Sequence, residues 1–304
     1  MELTVLTTTY NRCELLKKLY CTLKGQNCKD FTWLIIDDGS HDNTESIVSE
    51  WARQEKDFLI RYIKKQNGGK SRAVNLGLNE SSNADFVLII DDDEILYPNA
   101  ISIVHKYINQ YINTACVGIE FLRNGENGSP IANYTPNEDF FMSVQERKKK
   151  NLEIDGYAGY FIKKIGEKRF PEFANERYVG PGVLQMLVSK DYKLLWPNAV
   201  LGETEYLQGG ITKQGRKLRI KNPKGMVIYC CLMQTHDAGF AIRFKYSIMG
   251  YAYMSFIKRS EPDLVYENYI KSFVKIGYLP GKILGYYWGK KYKEEMGSDP
   301  MRDK

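Results

Sequence analysis

The sequence lacks any apolar run that approaches the roughly 20 residues needed to cross a bilayer as a helix. Histidine is scarce, with three residues, and the six cysteines form no Cys-x-x-Cys pair and have no histidine at zinc-ligand spacing. These absences argue against a structural zinc site and are typical of reduced thiols in a cytosolic protein. No signal-peptide pattern precedes the first strand-like run, so we expect a cytoplasmic location, with contact at the inner membrane face as a further hypothesis.

The composition is that of an ordinary globular protein. Of its 304 residues, 43% are apolar and 26% are charged, which leaves room for one large domain or two smaller ones. The net charge of +6 is mild. Such a charge suits anionic substrates or loose contact with an anionic membrane face, and does not by itself indicate nucleic acid.

Short apolar runs alternate with helical patterns over about the first 120 residues. The predicted strands are 3–8, 32–36, 58–63, 84–90 and 115–121, with helical spacing of apolar residues between them. Alternation of this kind predicts an α/β unit with a mainly parallel sheet. Asn11 and Asp42 are the expected N-caps of the first two helices, because Glu14 and Glu45 follow them by three residues, as in a capping box.

The fourth strand ends in four consecutive acids, Asp91 to Glu94. Four crowded carboxylates repel one another unless a cation or a basic partner is present. Oxygen ligands suit Mg²⁺ or Mn²⁺, which bind through one or two carboxylates together with substrate phosphates. Because ligands of open α/β sheets lie beyond the carboxyl ends of the strands, one interpretation is a metal and diphosphate site. The alternative is a solvated acidic turn.

Polar clusters follow two other strands, at 8–11 and 37–40, and a Gly-rich basic loop spans 65–70. Three such clusters at one edge of a sheet favour a nucleotide-phosphate site over chance. The loop contains the Gly-Lys-Ser ending of a P-loop, but the position that requires the earlier glycine holds Lys64. A P-loop ATPase is therefore not indicated. The alternative for this loop is a helix start with solvated lysines.

In order and spacing, four sequence blocks resemble the inverting family 2 glycosyltransferases. The blocks are Thr8-Thr9-Tyr10-Asn11-Arg12, Asp37-Asp38-Gly39-Ser40-His41-Asp42-Asn43-Thr44, Asn67-Gly68-Gly69-Lys70-Ser71-Arg72-Ala73-Val74-Asn75-Leu76-Gly77 and Ile90-Asp91-Asp92-Asp93-Glu94. The stretches 205–212 and 221–225 resemble more loosely the bacterial capsule and surface-polysaccharide members. The resemblance implies a GT-A (Rossmann-like) fold, with a mainly parallel sheet, helices on both faces, an acceptor-side region and C-terminal helices.

The resemblance also implies roles for individual residues. The nucleotide would be bound by Thr8, Tyr10, Asn11, Arg12, Asp38, Lys70, Asp91 and Asp92. Tyr10 would lie against the base, and Asp38 would accept a hydrogen bond from it. Asp91 and Asp93 occupy the family's Asp-x-Asp positions, so Mn²⁺ or Mg²⁺ would be bound by Asp93 and Asp91, with His236 as a third ligand.

The general base is the least defined part of the resemblance. An inverting transfer needs a carboxylate that takes the proton of the acceptor hydroxyl. Where the family has a final Glu in a Phe-Pro-Glu…Glu-Lys-Phe-x-Pro-Glu-like stretch, this chain has Pro181. Either Glu176 would then serve, which we favour, or Glu172 would, or the base lies elsewhere in the chain. Glu176 could equally be a surface carboxylate paired with Arg177 or Lys168. A lone histidine such as His236 could likewise be structural.

The sequence thus predicts a metal-dependent hexosyltransferase-type enzyme that uses a nucleotide-diphosphate sugar, expected to be a UDP-sugar. The expected acceptor is a glycan or lipid-linked glycan of bacterial surface-polysaccharide or capsule synthesis. The alternative, motivated by Pro181, is a non-catalytic nucleotide-sugar-binding protein or partner subunit. We expect a nucleotide-sugar half at 1–122, an acceptor-side half at 123–225 and a C-terminal helical appendage at 226–304. Two interpretations of the basic, aromatic C-terminal helices stay open: peripheral contact with the membrane, or ordinary packing as a helical appendage.

Overall fold

The computed structural model describes residues 1–125, 128–133, 137–189, 193–204, 211–257 and 273–292. The stretch 205–210, which carries most of one of the loose capsule-type resemblances, lies outside them. The strands are β1 (Leu3–Thr9), β2 (Thr32–Asp37), β3 (Leu59–Lys64), β4 (Phe86–Ile89), β5 (Glu94–Leu96), β6 (Gly118–Asn124), β7 (Phe140–Met142), β8 (Gly156–Phe161), β9 (Leu194–Trp196) and β10 (Val200–Thr204). The helices are α1 (Cys13–Lys24), α2 (Thr44–Gln54), α3 (Lys70–Glu80), α4 (Ala100–Tyr111), α5 (Val144–Lys149), α6 (Ile162–Ile165), α7 (Gly182–Val188), α8 (Ile211–Lys221), α9 (Pro223–Leu232), α10 (Gly239–Met254) and α11 (Tyr278–Lys291).

The strands form one mixed sheet in the order β3-β2-β1-β4-β8-β6-β10-β5, with β7 and β9 attached beside β6. The first four strands of this order are parallel to one another. β8 is antiparallel to both β4 and β6, so it separates two strands that run in the same direction. The predicted α/β unit with a largely parallel sheet is therefore present.

Side chains alternate between the two faces of β1, and each face is covered by helices. Val5 belongs to a buried cluster that includes Leu16 of α1 and Val104 of α4. Leu6 points to the opposite face, where Gly77 of α3 lies so close that an added Cβ would be 2.2 Å from a methyl carbon of Leu6. Successive side chains of a strand point to opposite faces, and helices cover both faces here. Strands in such a sheet are therefore apolar on both sides.

The starts of α1 and α2 correct two predictions. Asn11 is not the N-cap of α1; that position is Arg12, and Asn11 adopts a left-handed conformation with φ of 52°. Asn tolerates this region better than most residues. In this conformation the side chain of Asn11 does not cap α1. Asp42 is likewise not the N-cap of α2, because that position is Asn43. Its carboxylate nevertheless serves both helices, accepting hydrogen bonds from the backbone N–H of Cys13 at 3.0 Å and from that of Thr44 at 3.1 Å.

The chain divides into two compact units. The first comprises 1–144, 152–169 and 188–206, and holds the sheet; the second comprises 145–151, 170–187 and 207–304, and is helical where described. The predicted three-part division at 122 and 225 stays a prediction. Within the described residues, no helix is long and apolar enough to span a membrane.

Candidate functional site

The carboxyl ends of β1, β2 and β4 meet at one edge of the first unit. β1 is paired in parallel with β2 on one side and with β4 on the other, and Thr9 lies opposite Asp37 in the register. The backbone N–H of Ile90 continues the pairing by donating to Leu6 O at 3.0 Å. This topology brings three polar clusters, which are far apart in sequence, to the same place.

Three carboxylates follow β4 closely enough to share one cation. Ligand oxygens of Asp91, Asp93 and Glu94 all lie within 4.8 Å of one another. Asp91 and Asp93 are partly exposed, whereas Glu94 is buried at the first position of β5. An all-oxygen donor set with two accessible carboxylates fits Mg²⁺ or Mn²⁺. We call Asp91, Asp93 and Glu94 the carboxylate cluster.

Basic side chains from two separate parts of the chain neutralise these acids. Lys70, the first residue of α3, donates to Asp91 at 2.6 Å. Arg12 donates to Asp92 at 2.9 Å and to Asp93 at 3.2 Å. Asp92 is buried and also accepts a hydrogen bond of 2.8 Å from the hydroxyl of Thr9. The electrostatic repulsion among these acids is thus reduced by the positive charges of Lys70 and Arg12.

Glu94 has its own set of partners. Arg123 at the end of β6 is paired with it, and the hydroxyl of Tyr157 on β8 donates to it at 3.1 Å. Arg123 also bridges to Asp155 at 2.6 Å. Antiparallel β8 therefore brings a hydroxyl to the base of the cluster, next to an arginine from the strand that it pairs with.

The electrostatic states of the acids differ. Burial raises the pKa of Glu94 to about 7, against the opposing effect of Arg123. Burial likewise raises the pKa of Asp92 to about 6, although Arg12 acts in the opposite direction. For Asp91, burial is outweighed by the ammonium of Lys70, which lowers the pKa of the carboxyl. A divalent cation would favour the ionised form of every ligand carboxylate.

Asp38 holds the Gly-rich loop in place. Its Oδ1 accepts hydrogen bonds from Gly68 N at 2.9 Å and from Lys65 Nζ at 2.6 Å, while Oδ2 accepts one from Gly69 N at 2.7 Å. Gly69 has φ of 95°, which a residue with a Cβ rarely adopts. Asp38 thereby fixes the turn from which Lys70 reaches Asp91. Its predicted contact with a nucleobase stays a prediction.

The remaining predicted nucleotide contacts lie beside this edge. Thr8 is buried at the end of β1, and Tyr10 follows it with a largely exposed ring. Asn11 accepts a hydrogen bond of 2.8 Å from His41 N and donates its own N–H to the hydroxyl of Ser40 at 2.9 Å. Asn11 thus joins the loops that follow β1 and β2, and its direct contact with a nucleotide stays a prediction.

The residues predicted as base candidates and as third metal ligand belong to the second unit. Glu176 is buried, and its two oxygens accept hydrogen bonds from Lys224 N at 2.7 Å and Gly225 N at 3.0 Å, at the start of α9. Glu172 is exposed. His236 begins a 3-10 turn and is exposed; the metal-compatible group found among the described residues does not include it. All three assignments stay predictions.

Sequence reasoning missed several residues of this edge. Thr9 stands inside the first of the four blocks and Lys65 inside the Gly-rich loop 65–70, so their proximity to strand ends was a usable signal. Arg123 and Tyr157 come from strands that follow the acids by about 30 and 60 residues, and nothing in their spacing relates them to Glu94. The three residues come together only because antiparallel β8 is inserted between β4 and β6.

Solved structures share this fold. The chain resembles S. aureus TarS 1-349 in complex with UDP-GlcNAc with a TM-score of 0.64 at 16% identity, covering 91% of this chain and 83% of that one. It resembles the mannosyltransferase PcManGT of Pyrobaculum calidifontis, in complex with GDP-Man and Mn²⁺, with a TM-score of 0.56 at 13% identity, covering 94% and 87%. The predicted GT-A fold class is confirmed.

Sequence relatives match over a shorter region. The GalNAc(5)-diNAcBac-PP-undecaprenol beta-1,3-glucosyltransferase of Campylobacter jejuni is 34% identical over 111 residues, which is 36% of this chain and 35% of that protein. The match thus spans about a third of the length of such curated relatives. The model of the family described as glycosyl transferase family 2 matches residues 4–167, more than half of the chain. The chain therefore belongs to glycosyl transferase family 2.

Proposed function

We propose that this protein transfers a sugar from a nucleotide-diphosphate sugar, a UDP-sugar in the first instance, to a hydroxyl of a glycan or lipid-linked acceptor, with inversion at the anomeric carbon. The observation that carries the proposal is the carboxylate cluster, whose oxygens lie within 4.8 Å of one another next to Lys70 and Arg12. Acids and bases placed together at a strand edge suit a diphosphate bound with a cation.

The metal would be Mn²⁺ or Mg²⁺, bound by Asp93 and Asp91, with Glu94 as a further ligand. When bound, such an ion neutralises negative charge that develops on the departing diphosphate. Lys70 and Arg12 would then be free to turn from the carboxylates toward phosphate oxygens. Arginine suits this task because its planar fork matches phosphate geometry. Asp92, buried and held by Thr9 and Arg12, would keep Arg12 in position.

Thr8, Tyr10 and Asn11 would line the nucleoside pocket, and the exposed ring of Tyr10 offers a stacking surface for a base. Support for uracil comes from TarS, whose crystals contain UDP-GlcNAc. The mannosyltransferase with the same fold was solved with GDP-Man, so the base is a point for experiment. Asp38 would accept a hydrogen bond from the nucleobase only through carboxylate lone pairs that Lys65, Gly68 and Gly69 do not already use.

The base that activates the acceptor is proposed among Glu172 and Glu176. In the transfer, the acceptor oxygen forms a bond to the anomeric carbon, the bond to the diphosphate breaks, and the hydroxyl proton passes to the carboxylate. Glu176 already accepts two backbone hydrogen bonds, which compete with proton uptake. Glu172 is exposed and is therefore our first candidate.

The acceptor class is inferred from one relative. The name of the Campylobacter jejuni protein specifies transfer to a glycan on PP-undecaprenol. We infer that the present chain extends a bacterial surface polysaccharide or its lipid-linked precursor at the inner face of the membrane, where peripheral contact would bring it to such an acceptor.

Calorimetric titration with UDP, with and without Mn²⁺, tests the donor side. We expect Mn²⁺ to tighten UDP binding, and Asp93→Asn to weaken the Mn²⁺-dependent binding at least about tenfold, as loss of a ligand charge predicts. Asp57→Asn, an exposed acid in the same unit, is the matched control and should bind like the wild type. Binding that ignores both Mn²⁺ and the Asp93 substitution would overturn the metal-site proposal.

A panel of nucleotide sugars, read by release of the nucleoside diphosphate, separates the enzyme from its alternative. Slow hydrolysis of one donor in the absence of acceptor is expected of a transferase. A non-catalytic nucleotide-sugar-binding protein, for which Pro181 is the motive, would bind a donor tightly and release nothing.

A further inference from the structure

One face of α11 exposes large apolar side chains. Leu279, Ile283, Tyr286 and Tyr287 recur at helical spacing, and 56% to 77% of each side chain's surface is accessible. Single exposed hydrophobic residues are ordinary, but a continuous apolar face on one helix indicates an interaction surface. We call these four residues the α11 face.

The opposite side of α11 is fixed against α10. Gly281 and Gly285 are buried there, and a Cβ on Gly281 would lie 2.5 Å from the Cβ of Tyr251 and 2.8 Å from the backbone oxygen of Ile248. Trp288, one turn further on, packs against Tyr253 with ring centroids 5.1 Å apart and planes tilted by 50°. Because this close packing occupies the glycine side, the α11 face is held outward by the fold.

Within the described segment 273–292, which carries the α11 face, the charged side chains have one sign. Lys275, Lys282, Lys290 and Lys291 are all exposed, and residues 273–292 contain no Asp or Glu. Lysines that flank exposed Leu, Ile and Tyr are typical of helices that lie in a membrane interface, with Tyr at the level of the headgroups. The same charges oppose pairing of two copies through this face, since it would place lysines against lysines.

The length of α11 determines how it could meet a bilayer. Its 14 residues extend about 21 Å. The hydrocarbon core is roughly 30 Å thick, so the helix is too short to cross it. A helix of this length, apolar on its exposed face and packed against α10 on the other, would lie parallel to the surface, with its lysines at the headgroups.

We propose that the α11 face is a docking surface for an anionic lipid bilayer. The apolar side chains enter the boundary between headgroups and acyl chains, and the four lysines contact anionic headgroups. This surface stands on residues separate from the carboxylate cluster, so its test is independent of donor binding and catalysis.

Flotation of the full chain with lipid vesicles tests the proposal. We expect binding to vesicles that contain about one-third phosphatidylglycerol, much weaker binding to pure phosphatidylcholine, and release at high salt. Each lysine near an anionic surface is worth roughly fivefold in partitioning. Lys282→Gln, Lys290→Gln and Lys291→Gln together should therefore weaken binding at least about tenfold. Leu279→Ser with Ile283→Ser should weaken it to a similar degree.

Matched controls come from the first unit. Leu59→Ser changes an exposed leucine, and Lys18→Gln, Lys56→Gln and Lys163→Gln together remove three exposed lysines. Both controls should bind vesicles like the wild type. The salt dependence is measured on the unaltered protein, so the test holds even if a variant folds poorly.

Three results would overturn the proposal. The first is failure of the wild type to float with anionic vesicles. The second is equal loss in the lysine controls, which would mean that total charge, not the α11 face, controls binding. The third is a wild-type dimer that Leu279→Ser with Ile283→Ser converts to a monomer, which would make a second copy the occupant of this face.

Discussion

The ammonium of Lys70 lies 2.6 Å from Oδ2 of Asp91, in the place where a metal would add its own positive charge. In the proposed function, Lys70 would therefore compete with a cation for Asp91 and would also supply charge for a diphosphate. We expect Lys70→Gln to tighten binding of Mn²⁺ alone and to weaken binding of UDP with Mn²⁺, each by about threefold to tenfold. Calorimetry with the metal alone, then with both ligands, measures the two effects.

Lys163→Gln is the control, because Lys163 forms a similar but exposed pair with Asp85 at 3.6 Å. It should alter neither affinity. A Lys70→Gln protein whose affinities both fall would show that Lys70 supports the site and does not compete in it.

Asp42 joins the starts of two helices, so its loss should reduce stability. Asp42→Ala removes the acceptor for the N–H groups of Cys13 and Thr44, and we expect it to cost about 1–2 kcal/mol in the free energy of unfolding. Asp42→Asn retains one acceptor oxygen and should cost less. Urea denaturation measures both, with Asp57→Ala as a control that should remain within about 0.5 kcal/mol of wild type.

The contribution of Asp42 should also depend on pH. Although burial acts in the opposite direction, hydrogen bonds from Thr44 and Cys13 lower the pKa of Asp42 from 3.8. A lowered folded pKa gives stability that is present above 3.8 and is lost as the pH falls through the folded value. The difference between wild type and Asp42→Asn should therefore be constant at neutral pH and narrow below 3.8. A difference that widens on acidification would contradict this account.

Alanine substitution should have opposite effects on stability at two glycines of α11, Gly281 and Gly289. At Gly281, a new methyl would meet a backbone oxygen of α10 at 2.8 Å, so Gly281→Ala should cost about 1–3 kcal/mol and lower the Tm. At Gly289, the nearest atom would lie 3.9 Å away, in the ring of Phe256. Gly289→Ala should then be neutral or stabilise by up to about 1 kcal/mol, because alanine favours helix. Equal effects at both positions would refute the close packing.

Glu172 and Glu176 can be separated by comparing stability with turnover. Glu176→Ala removes the acceptor of two backbone N–H groups at the start of α9, and we expect a loss of about 2–4 kcal/mol. Glu172→Gln should leave the Tm unchanged and slow donor hydrolysis by at least about a hundredfold, as loss of a general base predicts. If Glu176→Gln instead abolishes turnover while the Tm and UDP affinity hold, Glu176 is the base.

The part of the site that local sequence pattern could predict is the edge formed by β1, β2 and β4. Their apolar runs end in polar residues, and parallel pairing brings such ends together whatever the loops do. The capping prediction failed at Asn11 because asparagine is common both as an N-cap and in the left-handed conformation, so the residue type alone does not distinguish the two. The partners of Glu94 and of Glu176 could not be predicted, since Arg123, Tyr157 and the start of α9 approach them only through tertiary packing.

The antiparallel strand β8, which lies between β4 and β6, limits how far the protein can be shortened. A chain cut after residue 122 would contain every acid from Asp91 to Glu94, but neither Arg123 nor Tyr157. Glu94 would then lose the guanidinium and the hydroxyl that contact it, and β4 would end as an open edge where β8 now pairs. The first 122 residues are accordingly not a transplantable module: grafts and truncations must retain the return of the chain through Phe161.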